Sequence, residues 1–580
     1  MRNAEIADAF QELAELYELD GAIVHRVVAY RNAAKAVREA GVSVAELSRA
    51  GRAEELAGIG KTLAEKIAAL LDTGSIPAAG KLKAKFPAGL IEVTRVPGLG
   101  PKRARKLFDE LGIASLEELR HAAEAKRLRA VPGFGAKAEE SVLAAIAAGA
   151  DGSVAPRTLL SKALGVAEEL AGALRDHPAA DRVEVAGSAR RLTDTVKDLD
   201  IVATASDPGA LVEAFSALPL VEEVGSSGEA GARAVTHNGL RVDLRIVAPE
   251  NFGNLLQHFT GSKQHNETLR AEAVRRGLHV SEYGVIDDAS EVTHVCATEE
   301  DVYALLGMDY VEPELRENRG ELAAAREGRL PELVGLEHVR GDLHCHTIAS
   351  DGRNTVEEMA AAALGRGYEY LAITDHSASH GFGNHVSADA LRCHIEHIRA
   401  VDGELEGLRL LAGSEVNVLP DGSLDYPDEL LAELDWVVGS IHSSFRMGER
   451  EMTDRMVRAI EHPLIDVIGH PTGRLIDRRE PYALDLERVV EAAARSGTFL
   501  EINANPDRRD LSEAHARFAA EAGVTLTIDS DAHGVETLAN LRYGIATARR
   551  AWVGPDRVAN TRRWSELDAM RGRTRAGASH

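Results

Sequence analysis

GSARRLTDTVKDLD, residues 187–200, is the stretch on which the reading of this chain turns. It ends in Asp-x-Asp. A strand places residues i and i+2 on one face, so Asp198 and Asp200 point the same way and can hold divalent metal between their carboxylates. At the other end, Gly187 and Ser188 offer backbone N–H groups and a hydroxyl, and Arg190 and Arg191 offer charge-assisted hydrogen bonds to phosphate oxygens. A third carboxylate, Asp243 in LRVDLRIV, lies in another strand-like alternation. Alone, Asp-x-Asp is more often a solvated loop. Joined to Gly-Ser-x-Arg-Arg and a later strand aspartate, it points to two-metal phosphoryl or nucleotidyl transfer.

The strands VEVAG (183–187), LDIVA (199–203) and LRVDLRIVA (240–248) around this stretch predict an α+β unit with an antiparallel-capable sheet. A chain of 580 residues is too long for one core, so roughly three to five domains are expected. No run of about 18 apolar residues and no signal-peptide pattern is found, so membrane and export are not expected. Three scattered cysteines, Cys296, Cys345 and Cys393, imply no disulfide framework and fit a reducing cytoplasm.

The formal net charge of −25 argues against a nucleic-acid partner until its distribution is read. Residues 1–150 carry 22 Lys+Arg against 20 Asp+Glu, and residues 81–137 carry 13 against 6. The deficit therefore lies beyond residue 150, and a local basic surface remains for phosphates. Residues 3–40 predict two helices around Leu19-Asp20-Gly21, one with Ile6, Phe10, Leu13, Leu16 and Tyr17 on its apolar face, the next with Val27, Val28, Tyr30, Ala33, Ala36 and Val37. Then LAGIGKTLAEKI (56–67), VPGLGPKRARKL (96–107) and VPGFGAKAEESVL (131–143) repeat one form, Gly-apolar-Gly before a short helix with a cation near its start. This resembles the helix-hairpin-helix motif of DNA-binding proteins. Gly58, Gly60 and Lys61, Gly98, Gly100 and Lys102, and Gly133, Gly135 and Lys137 are its candidate backbone-binding residues, with Arg103 adding charge. Glycines allow close approach of a phosphate, and a helix N-terminus offers free N–H groups. Such contacts are independent of base sequence. AAGADGSVAP (147–156) reads as a linker.

The hairpins, GSARR with DLD, RVD, and HFTGSKQHN (258–266) occur in the order seen in family X DNA polymerases, which this chain resembles over residues 1 to about 318. The resemblance implies a polymerase using Mg²⁺ or Mn²⁺ on Asp198, Asp200 and Asp243. It implies dNTP binding by Arg157, Gly187, Ser188 and Arg191, by the sugar-facing turn Phe259, Gly261 and Ser262, and by Asn266 and Arg270 near the nascent pair. Lys66 matches the Schiff-base lysine of members with deoxyribose-phosphate lyase activity. Two positions depart from the family pattern. Leu192 stands where glycine usually follows the two arginines, and His258 stands where an aromatic residue usually precedes the phenylalanine.

Thirteen of the 22 histidines lie between His338 and His533. His344 and His346 share a strand face in GDLHCHTIASDG, with Asp351 in the loop beyond. His376, Glu415, His442, His470, Asp531 and His533 each follow or end a short apolar strand, with helical stretches between. That alternation predicts a β/α barrel with its site at the C-terminal strand ends, and imidazole with carboxylate suits zinc or manganese. The stretch resembles the PHP (polymerase and histidinol phosphatase) domain, which implies a three-metal cluster on these nine residues and phosphoester hydrolysis. Asp375 is a candidate to orient a ligand, while His380, His385, His394, His397 and His462 read as surface or structural.

The expected architecture is multidomain. Residues 1–90 form an 8-kDa-like helical domain with one helix-hairpin-helix, and 91–150 form fingers with two more. A palm spans 151–248 and a small thumb 249–318. A linker covers 319–337, a distorted β/α barrel 338–570, and a disordered tail ends the chain. The expected function is gap filling on gapped or nicked DNA in base excision or break repair, with a 3′–5′ exonuclease, 3′-phosphatase or AP endonuclease in the barrel, in a cytoplasmic monomer. The alternatives are a DNA-end-binding scaffold with impaired polymerase activity and a metal-dependent small-molecule phosphatase.

Overall fold

A computed structural model describes residues 1–87, 89–96, 98–149, 157–379, 381 and 384–571. His380, most of the linker read at 147–156 and the tail from 572 lie outside the described residues. The chain divides into two compact units. One holds Met1–Thr158, Gly165–Val185 and Lys197–Ala248, and the other holds Leu159–Leu164, Ala186–Val196 and Pro249–His580.

The first unit opens on helices α1 (Asn3–Leu19) and α2 (Val24–Glu39), which turn at Gly21. Ile6, Phe10, Leu13, Leu16, Val27, Tyr30, Ala33 and Val37 are buried as their spacing predicts. Val28 is not, being 43% exposed. One residue advances a helix by about 100°, and Val28 falls off the stripe that Val27 and Tyr30 begin. The three hairpins are the same turn. Gly58, Gly98 and Gly133 all take left-handed φ values, 87°, 85° and 91°, which side chains with a Cβ rarely adopt. Helices α3 (Lys61–Thr73), α4 (Gly100–Leu111) and α5 (Ala136–Gly149) follow them, with Lys61, Lys102 and Lys137 exposed. Arg103 does a different job from the one its charge suggested. Its guanidinium donates to the carbonyls of Gly98 (2.7 Å) and Gly133 (2.9 Å), tying the second hairpin to the third.

The same unit carries a five-stranded sheet of β1 (Ala180–Val185), β2 (Asp198–Ala205), β3 (Val221–Gly228), β4 (Gly231–Thr236) and β5 (Arg241–Ile246), ordered β1-β2-β5-β4-β3. It is mixed. β2 and β5 run parallel, and the other pairs are antiparallel.

In the second unit, helices Phe252–Thr260 and Lys263–Val274 precede a small antiparallel sheet over residues 278–294. Beneath them Glu299 accepts from Arg316 Nη1 (2.5 Å) and Arg190 Nη2 (2.6 Å). Burial opposes its charge, but the two arginines win and hold its carboxyl down at about 2, against the usual 4.5. A depressed carboxyl stabilises the fold above its unfolded pKa, and that stability is lost as pH falls through the folded value. Glu299→Gln is therefore expected to cost about 3 kcal/mol at neutral pH. Thermal melts of both proteins should converge as pH falls from about 4.5 towards 2. A pH-independent gap would contradict the ion-pair account.

The stretch 319–337, read above as a linker, is built into the fold. Helix Glu321–Arg326 has Glu321, Leu322, Ala324 and Ala325 buried, and the Val334 N–H donates to Val553 O at 3.1 Å. Seven parallel strands follow in chain order: β6 (Gly341–Cys345), β7 (Tyr370–Ile373), β8 (Arg409–Asn417), β9 (Trp436–Ser440), β10 (Val467–Ile468), β11 (Phe499–Asn503) and β12 (Leu526–Asp529). A bridge from Cys345 to Ala532 brings first and last together, making a nearly closed barrel. Nearly every strand residue is buried, as parallel strands covered on both faces require. Tyr370, Trp436 and Phe499, at the strand starts, pack in one cluster with Leu567 and Trp564, so the C-terminal helix Trp564–Met570 stoppers that end. The other end is left for chemistry.

Candidate active sites

Parallel pairing of β2 with β5 sets Asp200 directly beside Asp243, and Asp198 lies two residues away on the same strand. The pleat puts all three on one face, which suits the carboxylate set of a metal-dependent transferase. Asp243 is already engaged. Arg233 Nε lies 3.1 Å from its Oδ2, and Arg245 Nε lies 3.0 Å from its Oδ1. These cations balance the charge of Asp243, and the sequence reading missed them. Asp198 is exposed and Asp200 half-buried. Arg157 is exposed, and Lys66 sits half-buried on α3.

The Gly-Ser-x-Arg-Arg turn belongs to the second unit, where residues 187–190 form one helical turn. Arg191 donates to Thr260 O (2.5 Å) and pairs with Glu317 (3.0 Å). Gly261 has φ 65°, and a Cβ there would come 3.3 Å from Arg191 Nη1. The turn and the FTGS segment are thus in contact. Ser262 caps helix Lys263–Val274 by accepting from His265 N. Asn266 is buried, accepting from Gln257 and donating to His258 O, and Arg270 lies 3.2 Å from His258 Nδ1. Phe259 is half-buried beside the His258 ring. Leu192 has φ 55°, which explains why glycine suits this position.

In the barrel, all nine predicted residues meet at the C-terminal strand ends. Glu415 on β8 is the hub. Its carboxylate lies 2.9 Å from His376 Nδ1, 2.9 Å from His470 Nε2, 3.2 Å from His442 Nε2 and 3.4 Å from His344 Nε2. Asp531 lies 3.2 Å from His346 Nε2, and Asp351 lies 3.3 Å from His533 Nε2. Among the described residues, three overlapping groups could each hold a metal: His346, Asp351, His376 and His533; His344, His346 and Asp531; His376, Glu415 and His442. The donors fit. His344 Nε2, both His346 nitrogens and Glu415 Oε2 are buried and, among the described residues, have polar neighbours but no well-aligned hydrogen bond, a state proteins avoid unless a ligand completes it. Burial, with His533 and His376 nearby, pushes the His346 imidazole down to about 4, and burial with Arg508 takes His470 down to about 3. Three other imidazoles shift the opposite way: against their burial, the surrounding carboxylates raise His344 and His376 and push His533 up to about 9, so binding a metal there would displace protons. His470 and Asp531 are held at positive φ, 30° and 51°, a strained backbone typical of functional positions.

Partners that the sequence reading missed hold these ligands. Glu501 accepts from His344 Nδ1 at 2.6 Å, and Asn417 Oδ1 accepts from His442 Nδ1 at 2.6 Å. Each fixes a tautomer that leaves Nε2 for metal. Glu501 sits in FLEIN, and a carboxylate between the apolar Leu500 and Ile502 of a short strand was the available signal. Glu501→Gln is expected to lower metal affinity or hydrolysis by about 10- to 100-fold, checked by metal titration; unchanged affinity would refute its role. Asp375 instead braces the loop after His346, accepting from Thr347, Ser350 and His394. The deep side of the cluster is dry, with His344, His346 and Glu415 at most 1% exposed, whereas the Asp351 and His533 side chains are 24% and 33% exposed. On that more exposed side Arg508 lies 3.9 Å from Asp531.

A helical region with repeated backbone-binding turns, a sheet with three carboxylates and a metal-competent barrel define a nucleic-acid enzyme with two reaction centres. Family comparisons agree. Residues 1–76 match a helix-hairpin-helix domain, 90–148 a SAM-like helix-hairpin-helix tandem, 255–317 the DNA polymerase beta thumb and 342–505 the PHP domain. The DNA polymerase/3′-5′ exonuclease PolX of Bacillus subtilis (strain 168) is 37% identical over 572 residues, covering 98% of this chain and 99% of that protein. A probable phosphatase of Thermoanaerobacter sp. (strain X514) is 31% identical over 231 residues, 38% of this chain and 89% of that protein. The chain belongs to the bacterial family X DNA polymerases that carry a PHP domain.

Proposed function

We propose that the chain extends DNA 3′ ends from dNTPs with one set of residues and hydrolyses phosphoesters at DNA ends with another. The observation that carries this is a pair of separate side-chain sets with metal-ligand chemistry, of which, among the described residues, the barrel set already brings its donor atoms close enough to hold an ion. One is the in-register Asp200 and Asp243 with Asp198; the other is the buried nine-residue cluster around Glu415. A metal at either set supplies Lewis acidity and an activated oxygen nucleophile. Mg²⁺ or Mn²⁺ suits the all-carboxylate set, and three Zn²⁺ or Mn²⁺ ions suit the histidine-rich one.

The chain's own residues do the rest. Gly187, Ser188 and Arg191 receive the triphosphate, with Arg157 as a further cation. Arg191 can do so by exchanging Glu317 for phosphate oxygens. Gly261 and Phe259 face the sugar, while Asn266 and Arg270 lie behind the turn and set its shape. Lys61, Lys102 and Lys137, at hairpin helix starts, hold the duplex backbone without reading sequence. At the barrel, Arg508 neutralises the phosphate, and Asp351 and His533 line the entry. Gapped or nicked duplex, gap filling in repair and a cytoplasmic monomer complete the proposal; among the described residues no helix is long and apolar enough to cross a membrane.

The test is incorporation and hydrolysis on one gapped duplex with each metal in turn. Extension confined to the gap, with 3′-end degradation in the absence of dNTPs, is expected. Binding without either reaction would favour a DNA-end scaffold instead. Lys66 is proposed to form a Schiff base with a 5′-deoxyribose phosphate. Borohydride should trap that adduct on the wild type but not on Lys66→Ala, and equal trapping would remove Lys66 from the scheme.

A further inference from the structure

The nucleotide turn is clamped by the barrel. Leu192 holds a left-handed backbone that a branched side chain disfavours. Three arginines from the hydrolytic half converge on it. Arg509 Nη2 donates to Leu192 O at 3.1 Å, and Arg550 Nη1 donates to Arg191 O at 2.7 Å. Asp194 pairs with Arg474 Nη1 at 2.9 Å and with Arg509 Nη1 at 3.2 Å. The Arg509 and Arg550 side chains are only 1% and 4% exposed. A buried guanidinium demands partners, and here part of the demand is met by residues 191–194.

The clamp is rooted beside the metal cluster. Arg474 lies four residues past His470, and Arg474 Nη2 donates to Arg509 O. The adjacent Asp510 accepts from the Thr472 N–H and hydroxyl. Arg509 is also anchored from behind, donating to Thr547 Oγ1 at 2.9 Å.

We propose that Arg509 and Arg474 of the barrel, acting through Asp194 and the Leu192 carbonyl, are positioning residues for nucleotide binding. They hold the turn in the left-handed form that aims the Gly187 and Ser188 donors at a triphosphate. In a chain with glycine at 192 the backbone enters this form freely; with leucine the barrel imposes it. The inference rests on the reading that this turn binds triphosphate.

Steady-state dNTP incorporation by the full chain tests it. Arg509→Ala is expected to raise KM for dNTP about tenfold, the effect of losing one charge-assisted hydrogen bond, with kcat within about threefold. Asp194→Asn, which leaves no buried cavity, should do likewise. Leu192→Gly is the rescue: adding it to Arg509→Ala should bring KM within about threefold of Leu192→Gly alone. Ser188→Ala reports on the underlying reading. If it raises KM while Arg509→Ala and Asp194→Asn do not, the clamp is overturned and the turn keeps its role. If Ser188→Ala is silent, the turn does not bind triphosphate and both ideas fall. A KM rise that Leu192→Gly does not relieve would make the arginines general supports of the fold and overturn the positioning role.

Discussion

Replacing Asp198 and Asp200 together with alanine is expected to lower nucleotide incorporation by at least about 10³-fold while leaving hydrolysis of a 3′ end intact. The two carboxylates share one face of β2, and Asp200 sits beside Asp243 on β5. Removing both leaves Asp243 alone, already paired with Arg233 and Arg245. One carboxylate between two arginines cannot hold two divalent ions. Asp198 is exposed and Asp200 half-buried, so truncation should not open a core cavity, and the fold should survive. Primer extension on a gapped duplex, beside thermal melting, checks both halves. Normal extension by the double variant would place polymerase chemistry elsewhere.

The converse substitution, His344 and His346 to alanine, should abolish hydrolysis and leave extension within about twofold, since the two reactions draw on different metal-binding residues. His346 enters two of the three metal-competent groups, and His344 lies against Glu415, Asp531 and Glu501. Their loss removes donors from the driest part of the barrel. Bound metal, counted by elemental analysis, should fall with activity. If hydrolysis persists, or instead follows the Asp198 and Asp200 variant, the division of labour is wrong.

What could be read from residues alone followed from periodicity and from motifs whose members lie close in sequence. The three glycine turns, the Asp-x-Asp strand and the β/α alternation are of that kind; most of the nine barrel residues follow or end a short apolar strand, and the resemblance to the PHP domain joined them, with Asp351 from the loop, into one set. What escaped was set by tertiary contacts. Arg103 looked like a phosphate ligand, and only the packing of two hairpins shows it holding their carbonyls. Glu501 and Asn417 looked like ordinary strand residues until His344 and His442 were placed against them. The left-handed backbone at Leu192 could be guessed from the family's glycine, but the arginines that hold it lie some 300 residues away in sequence. The stretch 319–337 read as a tether because its Gly, Pro and charge content resembles one, yet its apolar residues Leu322, Ala324, Ala325, Leu333 and Val334 are buried and anchor it to the fold.

That buried stretch bears on how such a protein could arise. A flexible tether lets two enzymes be joined by gene fusion with no change to either surface. Here the thumb-side core takes in Leu322, Ala325, Leu333 and Trp552, the last from the barrel's side of the chain. Arg549 reaches Glu314, and Arg319 reaches Glu513. The boundary is a shared interior instead of a seam. A recombination event that swapped the hydrolytic half for a relative's would have to bring matching residues on both sides, so the two halves are constrained to diverge together.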